Sequence, residues 1–167
     1  MKTAIFSQWD GRNTQSLIDF FAEYGETSEF LSCLLSYLSQ QETQRVASWL
    51  LKHFCEQGGQ LNQAHIEQVY SQLGNLVHWE SRLHILQCIG YMPISDMVKK
   101  PLEAFLRATL IDNNKFIRAW SYNGFYLLCM QYPEYREEVE QFFIMAMRDE
   151  AASVKARIRN ILKNSKH

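Results

Sequence analysis

Proline and glycine are scarce in this chain, with three and seven residues among 167. The long segments between them contain few β-branched runs and many Leu, Glu, Gln, Ala and Arg residues. This composition favours helices over strands. General disorder is excluded because 47% of the residues are apolar and 13% are aromatic, which supplies enough apolar surface to offset the entropy of ordering the chain.

The sequence also lacks the short motifs of common catalytic, phosphate and metal sites. It contains no CxxC, HExxH, P-loop, G-x-G-x-x-G or G-x-S-x-G pattern. His84 and Cys88 are one helical turn apart, but no third or fourth ligand stands at a matching spacing. We therefore predict no cofactor and no metal.

No apolar run reaches 18 residues, so we expect no transmembrane helix and no membrane partner. The start, "MKTAIFSQWDGR", has too few apolar residues for a secretory signal. Four cysteines stand far apart in apolar segments, a pattern typical of buried, reduced thiols in a cytosolic protein. Together these features predict a cytoplasmic protein. The cysteines are Cys33, Cys55, Cys88 and Cys129.

Charge is unevenly distributed although the formal net charge is only −1. Residues 84–167 are net basic, and the last 17 residues contain five basic and no acidic residues. Lys155, Arg159 and Lys163 share one face of a helix, whereas Arg157 lies off that face. The stripe has two interpretations, a phosphate-binding surface or the polar outer side of a terminal repeat.

A repeat of 36 or 37 residues runs through the chain. Four segments align on a basic residue: "ETQRVASWLL", "WESRLHILQC", "KFIRAWSYNG" and "ASVKARIRNI". The aligned positions are Arg45, Arg82, Arg118 and Lys155, separated by 37, 36 and 37 residues. Each opens an apolar helix and is preceded by another helical segment, as in arrays of stacked helix pairs.

The periodicity predicts one leading helix and four helix pairs. Apolar residues recur at three- and four-residue steps within these segments, which indicates amphipathic helices with one buried face. The leading helix is predicted over 14–25. The pairs are predicted over 27–39 and 43–57, 62–75 and 79–92, 98–111 and 115–131, and 134–148 and 151–164.

The third repeat resembles the HEAT-like family of armadillo-type α-solenoids. The family pattern has an aspartate at the turn within a repeat and an arginine six positions later, and Asp112 and Arg118 match it. Asp149 and Lys155 match it with lysine in place of arginine, while Ser39 and Leu76 replace the aspartate in the first two repeats. The resemblance covers about residues 26–164.

This resemblance implies an all-α fold, a right-handed α-solenoid of about four HEAT-like helix pairs with one leading N-terminal helix. It implies a single repeat domain over 1–167, with repeats near 26–58, 61–93, 97–132 and 133–164. It further implies that the aspartates and basic residues form a structural ladder between repeats rather than a chemical site. The ladder positions are Arg45, Arg82, Asp112, Arg118, Asp149 and Lys155.

Two sets of residues on the second helices are candidates for binding. Gln87, Asn123 and Asn160 each follow the aligned basic residue by five positions, and such an amide row either lines a concave surface or ties neighbouring helices together. Aromatic residues crowd positions 116–135, among them Trp120, and form either a groove or core. The predicted partner-binding residues are Gln87, Tyr122, Asn123, Tyr126 and Asn160.

We therefore predict a non-enzymatic scaffold or adaptor that binds a protein partner through the concave face of the solenoid. One alternative is nucleic-acid binding through the basic residues Lys155, Arg159 and Lys163. A second alternative is an unrecognised enzyme, for example a HEAT-like DNA glycosylase. Trp79 and Trp120 are available for that chemistry, but no local Trp–Asp motif accompanies them.

Overall fold

The described part of the chain, residues 1–164 of a computed structural model, contains only helices as regular structure. Short 3-10 turns occupy Leu73–Asn75, Ile89–Tyr91 and Pro133–Tyr135. The α-helices are α1 (Ile5–Gln8), α2 (Gln15–Tyr24), α3 (Phe30–Leu38), α4 (Gln44–Glu56), α5 (Gln63–Ser71), α6 (Trp79–Cys88), α7 (Asp96–Leu110), α8 (Lys115–Gln131), α9 (Arg136–Asp149) and α10 (Ala152–Asn164).

The predicted all-α class is confirmed, and each of the nine helices predicted from periodicity is present within a few residues of its expected ends. Helix α6 ends at Cys88 and gives way to a 3-10 turn before Pro93, because Gly90 is a poor helix former and a proline disfavours helix in the residue before it. The short helix α1 was not predicted. It contains Phe6, which is buried and whose ring centre lies 4.1 Å from the ring centre of Tyr37.

Two compact units divide the chain, the first covering residues 1–92. In this unit α4 contacts α1, α2, α3 and α6, while α3 also contacts α5. The N-terminus of α5 is capped by Asn62, whose Oδ1 accepts the His65 amide at 2.9 Å. Fully buried side chains form the core at Leu17, Phe30, Leu34, Leu35, Leu38, Leu50, Leu51, Tyr70, Ile85 and Leu86.

The second unit begins at Pro93, and its central helix is α8. Helix α8 contacts α7, α9 and α10, while α9 and α10 also contact each other. Asn114 caps α8, because its Oδ1 accepts the Phe116 amide at 2.9 Å. Buried core side chains include Leu102, Leu106, Ile117, Phe125, Leu128, Val154 and Ile158. The right-handed solenoid and the single repeat domain over 1–167 stay predictions.

Candidate binding site

Arg118 is a structural tie within the second unit. Its Nε and Nη2 donate to the two carboxylate oxygens of Glu150 at 2.8 and 2.9 Å, and its Nη1 donates to the backbone carbonyls of Asp112 and Asn113 at 2.9 and 3.1 Å. The guanidinium therefore joins the α7–α8 turn to the residue that follows α9. All of these bonds are internal, which agrees with a constructional role for Arg118.

Arg45 makes a related contact in the first unit. Its Nη2 lies 3.1 Å from Glu80 Oε1, and its guanidinium carbon lies 5.4 Å from the ring centre of Trp9. Glu80 is at the start of α6, as Glu150 is just before α10. Arg45 and Arg118 therefore each reach from one second helix to an acid at the beginning of the next. Sequence reasoning found both arginines but missed both acids.

The other predicted ladder residues behave differently from one another. Asp112 Oδ1 accepts the Asn114 amide at 2.8 Å, as expected for an aspartate at a turn. Asp149 instead forms an ion pair with the neighbouring Arg148 at 2.8 Å. Both side chains are exposed at the end of α9. Lys155 Nζ donates to the Arg148 carbonyl at 3.1 Å. Arg82 is half-buried on α6.

The predicted partner-binding residues differ in solvent exposure, from buried to exposed. Tyr122 is only 7% exposed, and its ring centre lies 6.1 Å from that of Phe143 on α9. Of the two alternatives for the aromatic residues, groove and core, the burial of Tyr122 against α9 agrees with core. The prediction that Tyr122 binds a partner stays a prediction. Asn123 and Tyr126 are half-buried and Asn160 is exposed, all in the second unit. Gln87 is half-buried and belongs to α6 in the first unit.

A cleft of about 210 Å³ lies between α8 and α10, and we call it the α8–α10 cleft. Residues three or four positions apart face the same side of a helix, so each helix contributes one stripe to the wall. The cleft is lined by Phe116, Ala119 and Trp120 from α8 and by Ser153, Ala156, Arg157 and Asn160 from α10.

Arg157 and Trp120 both line the α8–α10 cleft and contact each other. The Arg157 guanidinium carbon lies 3.9 Å from the centre of the Trp120 ring, a cation–π stack. Burial lowers the pKa of Arg157 below its ordinary value. No carboxylate within residues 1–164 lies within ion-pairing distance of this guanidinium. The cleft therefore contains a partly desolvated positive charge that has no counter-charge among residues 1–164.

Further polar groups of the cleft have unused hydrogen-bonding capacity. Ser153 Oγ is buried and has no hydrogen-bond partner among the described residues. Asn160 is exposed, so its amide can donate two bonds and accept others. Phe116 is 51% exposed and provides an apolar surface beside these groups. The arrangement can bind an anionic group that has an apolar neighbour.

The walls of the cleft come from equivalent positions of two repeats. Trp120 and Arg157 each follow the aligned basic residue by two positions, and Asn160 follows it by five. Phe116 and Ser153 each precede it by two. Sequence reasoning placed Arg157 off the basic stripe and assigned it to no site. The shared repeat position of Trp120 and Arg157 is a sequence signal that relates the two residues, but it was not used to predict their contact.

The predicted phosphate-binding stripe is only partly available for a ligand. Lys155 is half-buried and donates to the Arg148 carbonyl, so it belongs to the structure of the α9–α10 turn. Arg159 and Lys163 are exposed on α10. Two exposed charges on one helix form a smaller phosphate-binding surface than the three that the sequence predicts.

Two other cavities contain charged side chains that already have hydrogen-bond or ion-pair partners within the protein. A cleft of about 540 Å³ near the N-terminus contains Asp10 and Asp19, whose carboxylates already accept hydrogen bonds from nearby groups. A cavity of about 330 Å³ is lined by Arg118 and Glu150, which neutralise each other.

The helices α4 and α6 share a polar contact inside the first unit. Ser48 Oγ and His84 Nδ1 are 3.0 Å apart, and burial, followed by the charges of Lys52 and Arg45, lowers the pKa of His84 to about 4. All four cysteines are free thiols. Cys55, Cys88 and Cys129 are buried as predicted, whereas Cys33 is half-buried.

His84 should make the protein less stable as the pH falls from about 6.5 to 4. An unfolded histidine titrates near pH 6.5, so in this window the unfolded chain binds a proton that the folded chain does not, and the free energy of unfolding decreases by at most about 3 kcal/mol. Urea unfolding of the wild type and His84→Gln should be compared from pH 7.5 to 4.5. Equal pH dependence in both proteins would contradict this expectation.

The helices of residues 1–164 include none that is long and apolar enough to cross a membrane. In the same residues, no group of three or more His, Cys, Asp or Glu side chains is arranged to hold a metal ion. Comparison of the chain with protein-family models, with curated proteins and with solved structures gave no match.

Proposed function

We propose that this chain is a non-enzymatic binding protein of HEAT-like architecture, which binds another protein through the surface of its second helices. The observation that supports this most strongly is the α8–α10 cleft, where the Arg157–Trp120 stack has no carboxylate partner in the described part of the chain. Tryptophan and arginine are the residue types most often found at the energetic centres of protein interfaces. Asn160 lines the same cleft, and Asn123 lies about one helical turn after Trp120 on α8.

A protein partner agrees better with the charge distribution than a nucleic acid does. The formal net charge of −1 provides no general attraction for a polyanion. Lys155 is occupied by a backbone carbonyl, so only Arg159 and Lys163 of the predicted stripe are free to follow a phosphate backbone. The cleft, in contrast, combines one cation with aromatic surface and neutral hydrogen-bonding groups, a combination suited to a peptide segment.

Selection from a random-peptide display library tests the proposed function. We expect the wild-type protein to enrich specific peptides, and Trp120→Ala to weaken binding of the best peptide by about 30-fold or more, because truncation of a central interface residue costs about 2 kcal/mol or more. Affinities should be measured by fluorescence anisotropy.

The controls separate lost binding from lost folding. Asn160→Ala changes an exposed side chain of the cleft, so it should weaken binding while leaving the melting temperature unchanged. Gln141→Ala, an exposed residue of α9, should leave both properties unchanged. Failure to enrich any peptide, together with salt-dependent binding of oligonucleotides that Arg159→Ala and Lys163→Ala weaken, would favour the nucleic-acid alternative and contradict the proposal.

A further inference from the structure

We infer that the α8–α10 cleft binds a carboxylate on an acidic peptide segment, with the Arg157 guanidinium as the cation that recognises it. This inference rests on the proposed function, since it specifies the chemistry of the peptide partner. It assigns the central contact to Arg157, a residue that the repeat pattern alone places in no site.

A comparison of Arg157 with two other half-buried arginines, Arg45 and Arg118, provides the first argument. Arg45 and Arg118 each have a glutamate of this chain as counter-charge, at 3.1 Å and 2.8 Å respectively. Arg157 is also half-buried, yet its described contact is the aromatic face of Trp120. An anion on a ligand would be attracted to this cation more strongly than to a fully solvated one, because the Coulomb energy of a charge pair is larger where water is partly excluded.

The geometry of the stack provides the second argument. The Arg157 guanidinium carbon lies over the Trp120 ring, 3.9 Å from its centre, so the ring restrains the position of the group by a contact that does not require its N–H donors. A guanidinium edge donates two parallel N–H bonds to a carboxylate. The exposed Asn160 amide lies in the wall of the same cleft and can donate to the carboxylate as well.

The size and composition of the cleft favour a carboxylate of a peptide. A volume of about 210 Å³ accommodates one side chain. Among its lining residues Arg157 is the charged one, which matches the single charge of Asp or Glu better than a doubly charged phosphate. The exposed ring of Phe116 offers apolar contact to the residue beside that acid. The Lys115 ammonium, 5.4 Å from this ring centre, adds positive potential at the rim.

Two matched peptide libraries test this inference. Blocked heptapeptides with a central Glu or Asp and randomised neighbours should be compared with the same peptides carrying Gln or Asn. We expect the wild-type protein to prefer acidic peptides by about 10- to 100-fold, the range for hydrogen bonds to charged groups. Arg157→Gln should reduce this preference to near one. Arg159→Gln, an exposed arginine outside the cleft, should leave it unchanged.

The possible failures are distinguishable. If peptides bind without preferring the acid, or if Arg157→Gln keeps the preference, the carboxylate inference is wrong and the proposed function stands. If phosphoserine peptides bind and carboxylate peptides do not, the inference is likewise wrong. If no peptide binds to the folded wild-type protein, both the inference and the proposed function are overturned. Circular dichroism and melting temperatures of each variant verify folding.

Discussion

Replacing Arg118 by alanine should lower the free energy of unfolding by about 2–3 kcal/mol. Arg118 and Glu150 are mostly buried, with 21% and 14% of their side-chain surfaces exposed. The substitution removes a two-pronged ion pair and two bonds to backbone carbonyls, and it leaves the Glu150 carboxylate without its counter-charge. Equilibrium urea unfolding monitored by circular dichroism measures the loss.

The pH dependence of this loss identifies its cause. The hydrogen bonds from Arg118 are the main reason that the pKa of Glu150 lies below its ordinary value. The pair therefore contributes stability above the unfolded pKa of a glutamate, and this contribution disappears as the pH falls through the lower folded pKa. In Arg118→Ala this contribution to the free energy of unfolding should be absent, so the difference in stability from the wild type should shrink as the pH falls. Arg159→Ala is the control and should change stability by about 0.5 kcal/mol or less, since Arg159 is exposed.

Gln44→Leu should destabilise the first unit by about 3 kcal/mol. Gln44 is fully buried at the first position of α4, where its Nε2 donates to the Asn75 carbonyl at 2.8 Å and its Oε1 accepts the Val77 amide at 3.1 Å. Leucine is similar in size but can form neither bond. The substitution leaves two backbone groups unpaired, and urea unfolding measures the effect.

Gln41→Leu provides the matched control for Gln44→Leu. Gln41 is exposed three residues earlier, and its contact to His78 uses the backbone carbonyl, which the substitution retains. We expect a change of about 0.5 kcal/mol or less. Equal destabilisation by both substitutions would indicate that a general effect of replacing glutamine by leucine, rather than the loss of the two Gln44 hydrogen bonds, lowers the stability.

Helix positions could be predicted because apolar periodicity acts locally. The repeat of basic residues likewise identified Arg45 and Arg118 as positions of structural ion pairs. Their partners Glu80 and Glu150 were missed because they lie 35 and 32 residues further along the chain, a separation that varies between the repeats. Pairing over such distances depends on tertiary packing, which a local pattern does not specify.

The candidate binding site was harder to predict than the helix positions. Helix α8 is apolar on several sides, so its sequence does not indicate which aromatic residues face a neighbouring helix. Tyr122 faces α9, whereas Trp120, two positions earlier, faces α10 and stacks on Arg157. The choice between core and groove for residues 116–135 therefore differs from residue to residue. Alignment of the repeats makes Trp120 and Arg157 equivalent, but their contact follows only when α8 and α10 pack together.

A two-dimensional NMR titration with the tightest-binding peptide from the random library would show where on the protein the peptide binds. We expect the largest chemical-shift changes at the Trp120 indole N–H, the Arg157 Nε–H and the Asn160 side-chain amide. Shift changes confined to another surface, such as Ile144 and Met145, which are 63% and 54% exposed on α9, would contradict the assignment of the α8–α10 cleft as the binding site.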